Sequence, residues 1–197
     1  MNAESKTFME RISDLQNEYY SNFGKNMLFK TKQKQDCANL VADKMGNDEM
    51  IENTIFHIPK TNKVFFDYPV FKLYANQNNY DIIISKIISS FDANIKKYGC
   101  YESHINLNSF SISALERYKP IIIKFCANYL NNNPRYTDNL ERLYIYNTPS
   151  MIDMLINIVS PSVNTDVLKK IVFVNKKDSE KLILNLLTNN VETKQTI

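Results

Sequence analysis

At 197 residues the chain is of single-domain size and long enough to bury a real core, and 44% hydrophobic with 23% charged residues is the composition of an ordinary globular protein. A net charge of +3 permits contact with an anionic surface but is too small to point to nucleic acid by itself, and no apolar run approaches the about 18 residues that span a bilayer. The three cysteines, Cys37, Cys100 and Cys126, are odd in number, far apart and outside any C-x-x-C pattern, which speaks against a disulfide framework and against a zinc site.

The first twenty residues, MNAESKTFMERISDLQNEYY, are mixed in charge and lack the apolar core of a secretory signal, so a cytoplasmic location is expected. Phe8, Ile12 and Leu15 recur at helical spacing from Glu4 to about Tyr20, and a second helix fits Gln33 to Lys44, ending near Gly46. Residues 1–50 are thus expected to form a helical N-terminal segment, 51–190 a main domain and 191–197 a flexible tail. Asn47 to Asn53 can hold a further turn, and IENTIFHI and KVFFDYPVFKLY, either side of a turn at Pro59–Asn62, read as a hairpin. From Asp81 to Tyr98, Ile83, Ile87, Ile88, Phe91 and Ile95 share one helical face, with Gly99 at the capping position. Tyr101 to Leu107 alternates as a strand, with Tyr101, Ser103, Ile105 and Leu107 on one side and Glu102, His104 and Asn106 on the other.

Ser111 to Leu130 is helical but contains Pro120, so it kinks or falls into two pieces. After a loop at 131–138 come a strand at Arg142–Tyr146, a helix at Ser150–Val159, a short helix at Asp166–Lys169, a strand at Ile171–Val174 and a helix from about Ser179 to Leu187, with Asp178 or Ser179 as its cap. Strands alternating with helices imply an α/β fold with a mostly parallel sheet and helices on at least one face.

Motifs for chemistry are sparse. There is no G-x-S-x-G elbow, Walker loop, dinucleotide fingerprint or H-E-x-x-H, and the three glycines, Gly24, Gly46 and Gly99, are too scattered to cradle a phosphate. His57 and His104 lie in strands without Cys, Asp or Glu at ligand spacing, so neither a catalytic residue nor a metal site is expected and the protein reads as a non-enzyme needing no cofactor. The helix at Ser150–Val159 stands out. Ser150, Asp153, Asn157 and Ser160 form a narrow polar stripe, Met151, Ile152, Leu155, Ile158 and Val159 a broad apolar face, and Pro149 and Pro161 fix both ends.

The order INLNSFSIS, a long helix, a loop, ERLYIYNTP, twelve residues to Pro161, then VNTDVLKKIVFV resembles the CRAL-TRIO lipid-binding domain family, over roughly Lys63 to Leu187 and most closely from Ser103. That resemblance implies a mostly parallel sheet flooring an apolar pocket closed by a gate helix, which here is Ser150–Val159, after a short helical N-terminal segment. It implies a pocket lined by Ile105, Leu107, Met151, Ile152, Leu155, Ile158, Val159, Val163 and Val167, and a headgroup site drawn from Asp138, Lys170, Ser103 and Tyr101. Asp138 stands where the family's Y-P-E-R glutamate falls and Lys170 matches the lysine of T-x-x-K, but Val167 replaces its threonine and removes a hydroxyl. Ser103 is either a headgroup contact or an inert small residue.

The expected ligand is one phosphatidylinositol- or phosphatidylcholine-like phospholipid, whose affinity comes from burying about two dozen methylenes at about 0.8 kcal/mol each. Lys169, Lys176 and Lys177 form either a solvated face or a docking contact with an anionic leaflet. The expected function is lipid uptake and exchange at the periphery of membranes, with an interaction module lacking lipid transfer as the alternative. Neither nucleic acid nor a metal is an expected partner, and the oligomeric state is left open.

Overall fold

The computed structural model describes residues 6–26, 28–131 and 133–188. Helix α1 (Phe8–Phe23) opens on a reciprocal cap, in which the Thr7 hydroxyl accepts from the Glu10 amide while the Glu10 carboxylate accepts from that of Thr7. Helix α2 (Lys30–Met45) stops at Gly46, whose φ of +85° suits glycine, and the chain turns at once into α3 (Asn47–Thr54). The strand expected from Ile51 therefore begins later, as β1 (Ile55–His57). Asp48 and Glu49 complement the positive end of α3, and Met50, Ile51 and Thr54 share its buried face.

A turn joins β1 to β2 (Lys63–Asp67), which pairs with it antiparallel as the expected hairpin. The second strand is shorter than the sequence suggests because Pro69 has no N–H to give a ladder and instead sits in the first turn of α4 (Tyr68–Phe71). Helix α5 (Tyr80–Tyr98) ends on left-handed Gly99 and leads into β3 (Tyr101–Asn106). Helix α6 (Ile112–Phe125) runs unbroken through Pro120, and the change of character comes at Cys126–Asn131, where the helix widens into π-type turns. There follow α7 (Pro134–Thr137), β4 (Leu140–Tyr146), α8 (Ile152–Val159), a single 3₁₀ turn at Ser160–Ser162, α9 (Thr165–Lys169), β5 (Ile171–Phe173) and α10 (Lys176–Thr188). The cap of α10 is Asn175, whose side-chain oxygen accepts from the Asp178 amide at 3.0 Å; Asp178 returns the bond as acceptor and Ser179 is buried, so neither of these is the cap. Glu4, Ser5 and the tail at 191–197 lie outside the described residues.

Among the described residues five strands form one sheet in the order β1-β2-β3-β4-β5, antiparallel only between the first two. Parallel strands laid side by side in chain order, with the right-handed crossovers that such units adopt, carry their connecting helices on one face. Register brings Val64, Ser103, Leu143 and Ile171 into one row on that face and Phe66, Ile105 and Ile145 into the next. The opposite face carries Phe65, His104, Tyr144 and Val172 in one row, with Asn106 paired to Tyr146 beside it.

Candidate functional site

Between the inward rows of the sheet and helices α5, α6 and α8 lies a cavity of about 230 Å³. Its floor is set by strand parity: a period of two sends Ser103 and Ile105 inward while Glu102 and His104 go the other way. Its roof is set by helical spacing, with Ile83, Ile84, Ile87 and Phe91 from α5, Ile121, Ile122 and Phe125 from α6, and Leu155, Ile156 and Val159 from α8. Val163, Val167 and Leu168 close the end beside β5. Among the lining side chains Ser103 alone is neither aliphatic, aromatic nor a thiol, and its hydroxyl makes no hydrogen bond within the described residues. The thiol of Cys126, also in the lining, is pushed up to about 12 by burial and stays protonated.

Of the pocket residues expected from sequence, Ile105, Leu107, Leu155, Val159, Val163 and Val167 line the cavity. Met151, Ile152 and Ile158 pack against the surrounding core without lining it. Tyr101 and Ser103 reach the lining, but the Tyr101 hydroxyl donates to the Tyr136 carbonyl at 2.9 Å and its ring stacks on Phe91 at 4.1 Å, so it offers the cavity a ring and no free polar group. Asp138 and Lys170 do come together, although not at the lining. The Lys170 ammonium donates to the Thr137 carbonyl at 2.8 Å and to that of Asp138 at 3.4 Å, tying the turn before β4 to the end of α9, while the Asp138 carboxylate accepts from the Thr137 hydroxyl and points to solvent. Lys169 is paired with Asp166 at 2.7 Å, and Lys176 and Lys177 are exposed at the start of α10.

Helix α8 is the least anchored wall. Val159 is its one buried residue, Met154 is 47% exposed, and no side chain of the helix makes a hydrogen bond or ion pair within the described residues. What holds it is apolar contact from Ile152, Leu155, Ile156, Ile158 and Val159, between the two prolines.

The titratable groups gather on the other side of the sheet. His104 is 2% exposed, its Nδ1 stands 2.9 Å from the Tyr146 hydroxyl and its Nε2 3.3 Å from a Glu102 carboxylate oxygen, with Lys63 on the same carboxylate at 3.5 Å. Burial outweighs the pull of Glu102 and takes the imidazole down to about 4. The rings of Tyr144 and Tyr146 stack beside it at 4.8 and 5.9 Å. No acid–base pair from this cluster faces the cavity, His57 is exposed on the edge strand, and among the described residues no three His, Cys, Asp or Glu side chains stand close enough to hold a metal ion.

Much of the floor and roof was not singled out by sequence reasoning. The helix α5 residues carried a readable signal in their spacing, and the β4 residues Leu143 and Ile145 in their alternation with Arg142 and Tyr144. Phe66, Tyr68 and Phe71 carried none, because a strand running straight into a helix hides both periods.

A sheet that floors an apolar, helix-covered chamber is the architecture of a ligand-binding α/β domain. A family model for the CRAL/TRIO domain matches residues 74–195, and the chain belongs to that family. No curated protein matches the chain. Membership carries with it the binding of a lipophilic ligand in general. No helix among the described residues is long and apolar enough to cross a membrane.

Proposed function

We propose that the protein takes a single lipid, phosphatidylinositol- or phosphatidylcholine-like, into the chamber beneath α8 and exchanges it with membranes, with α8 as the gate. It does so by binding alone, with neither catalysis nor cofactor. The observation that carries this reading is the apolar cavity with one wall held only by apolar contact. A helix without polar ties leaves without stranding a buried partner, and the face it exposes is one a bilayer accepts. The cavity of about 230 Å³ is below the roughly 300–1,000 Å³ of drug-sized sites, so a two-chain lipid requires α8 to stand further out than it does here. Among the lining residues, Ser103 and Tyr68 carry hydroxyls that make no hydrogen bond within the described residues, and Val167 in place of a hydroxyl-bearing residue adds no further such group.

Native mass spectrometry of the purified protein, followed by lipid extraction, is the test. A lipid-sized mass increment that Leu155→Glu abolishes supports the proposal. Unliganded protein together with no transfer between liposomes would sink it. The small volume of the chamber also favours a second reading, an interaction module that keeps the fold without moving lipid, and under that reading Leu155→Glu leaves partner binding intact.

A further inference from the structure

The connection between α1 and α2 does something the core does not require. Phe23 is 70% exposed, Leu28 88% and Phe29 64%, three large apolar side chains presented to water where α1 gives way to α2. The backbone that carries Leu28 and Phe29 is held there. The Asn26 side chain accepts from the Leu28 and Phe29 amides at 2.9 Å each, and Gln33 accepts from the Asn26 amide at 2.8 Å while donating to the Gly24 carbonyl at 2.6 Å. From Tyr19 to Gln35 the sequence has four lysines, Lys25, Lys30, Lys32 and Lys34, and no carboxylate. Two of these lysines, Lys30 and Lys32, fall in the first turn of α2, which has no side-chain cap and no acidic residue to oppose them.

Beside the loop opens a groove of about 650 Å³, into which Leu28, Phe29, Lys30, Lys32, Tyr80 and Arg117 face, together with the one carboxylate of Asp36. Its interior holds polar groups that the protein leaves unused. Tyr80 is only 8% exposed, yet its hydroxyl makes no hydrogen bond within the described residues, and the buried Nε of Arg117 has no partner, its Nη1 alone reaching the Tyr118 hydroxyl at 3.3 Å. A buried donor without a partner is costly to maintain, and one beside Tyr80 and two lysines is arranged for an anionic group.

We propose that this loop is a membrane-docking element: Leu28 and Phe29 enter the acyl layer of an anionic bilayer, and the groove behind them takes a phospholipid headgroup on Lys30, Lys32, Arg117 and Tyr80. Apolar side chains braced outward and ringed by cations match the two layers such a surface presents, the charged headgroups and the hydrocarbon beneath. This contact is separate from Lys169, Lys176 and Lys177, and it does not depend on what fills the cavity.

Because the chain has no tryptophan, Phe29→Trp places a single indole at the loop tip. With phosphatidylcholine vesicles containing phosphatidylserine, its emission should move to the blue and be quenched by brominated acyl chains, and with phosphatidylcholine alone it should not. In co-sedimentation with the same vesicles, Leu28→Asp with Phe29→Asp should weaken binding at least about tenfold. Lys30→Glu with Lys32→Glu should cost about as much and remove most of the salt dependence. Arg117→Gln should narrow the preference for phosphatidylserine, whereas Lys176→Glu with Lys177→Glu should leave binding as it is. The loop variants should keep any cavity ligand seen by native mass spectrometry, so failure of the cavity reading and failure of this one are told apart. The proposal is overturned if the wild-type protein does not bind anionic vesicles, if the indole emission does not shift, or if the loop variants bind as the wild type does. A change in self-association without a change in vesicle binding overturns it too, by making the loop a contact between protein molecules.

Discussion

Helices α5 and α8 both roof the cavity, and they are secured by different means. Tyr80, Ile83, Ile84, Ser90, Phe91 and Asn94 of α5 are buried, and the helix is also pinned from outside, Asp81 by Lys124 of α6 and Asp92 by Arg135 of α7 at 2.7 Å. In α8 only Val159 is buried, and within the described residues no side chain of the helix has a polar tie. One wall belongs to the fold; the other rests against it. The difference follows from sequence, since α5 spreads its apolar face over 19 residues and α8 has only 8 residues between prolines in which to make contact.

The contrast should appear first in truncations. Phe91→Ala removes a ring stacked on Tyr101 at 4.1 Å and should cost about 3–5 kcal/mol in urea unfolding, enough to leave the domain marginal. Acid provides the next largest effect, at a site under neither helix. The folded protein holds His104 at about 4 while an unfolded histidine titrates near its usual value, so the unfolded state takes up the proton first. The stabilisation from a neutral His104 is complete above about pH 6.5 and is lost as pH falls toward about 4. A His104→Gln variant should flatten that window in a pH series of denaturant midpoints.

Leu155→Ala in α8 should cost only about 1–2 kcal/mol, being half-buried, yet speed exchange of α8 amides and ligand release in hydrogen-exchange and vesicle-transfer assays. An equal loss from Phe91→Ala and Leu155→Ala would erase the distinction between the walls. Smallest of all, Asp92→Asn breaks a largely exposed pair and should change stability by no more than about 1 kcal/mol, measured as a shift in denaturant midpoint.

Which parts of this were legible in sequence depends on whether one period governs a segment. Helix α5 showed a clean helical spacing and a terminal glycine, and β3 a clean alternation, so its inward residues were assigned to the correct face. Where two periods meet the reading slipped: Ile51–Thr54 belongs to α3 and not to the strand, and β2 gives way to α4 at Tyr68. The widened turns at Cys126–Asn131 have no sequence mark comparable to Pro120, which α6 absorbs. Tertiary partners were the least visible. That Lys170 spends its ammonium on two carbonyls of the turn before β4, and that Tyr101 gives its hydroxyl to Tyr136, depends on residues 32 to 35 positions away in the chain, beyond what local pattern carries.

The strand order has a consequence for the growing polypeptide. Because each strand lies beside its predecessor in sequence, the sheet is laid down in the order of synthesis, and α5 and α6 can settle over β2 to β4 before α8 has been made. Until Leu155 and Ile171 arrive, the apolar rows of β2 to β4 form a trough roofed by α5 and α6 alone.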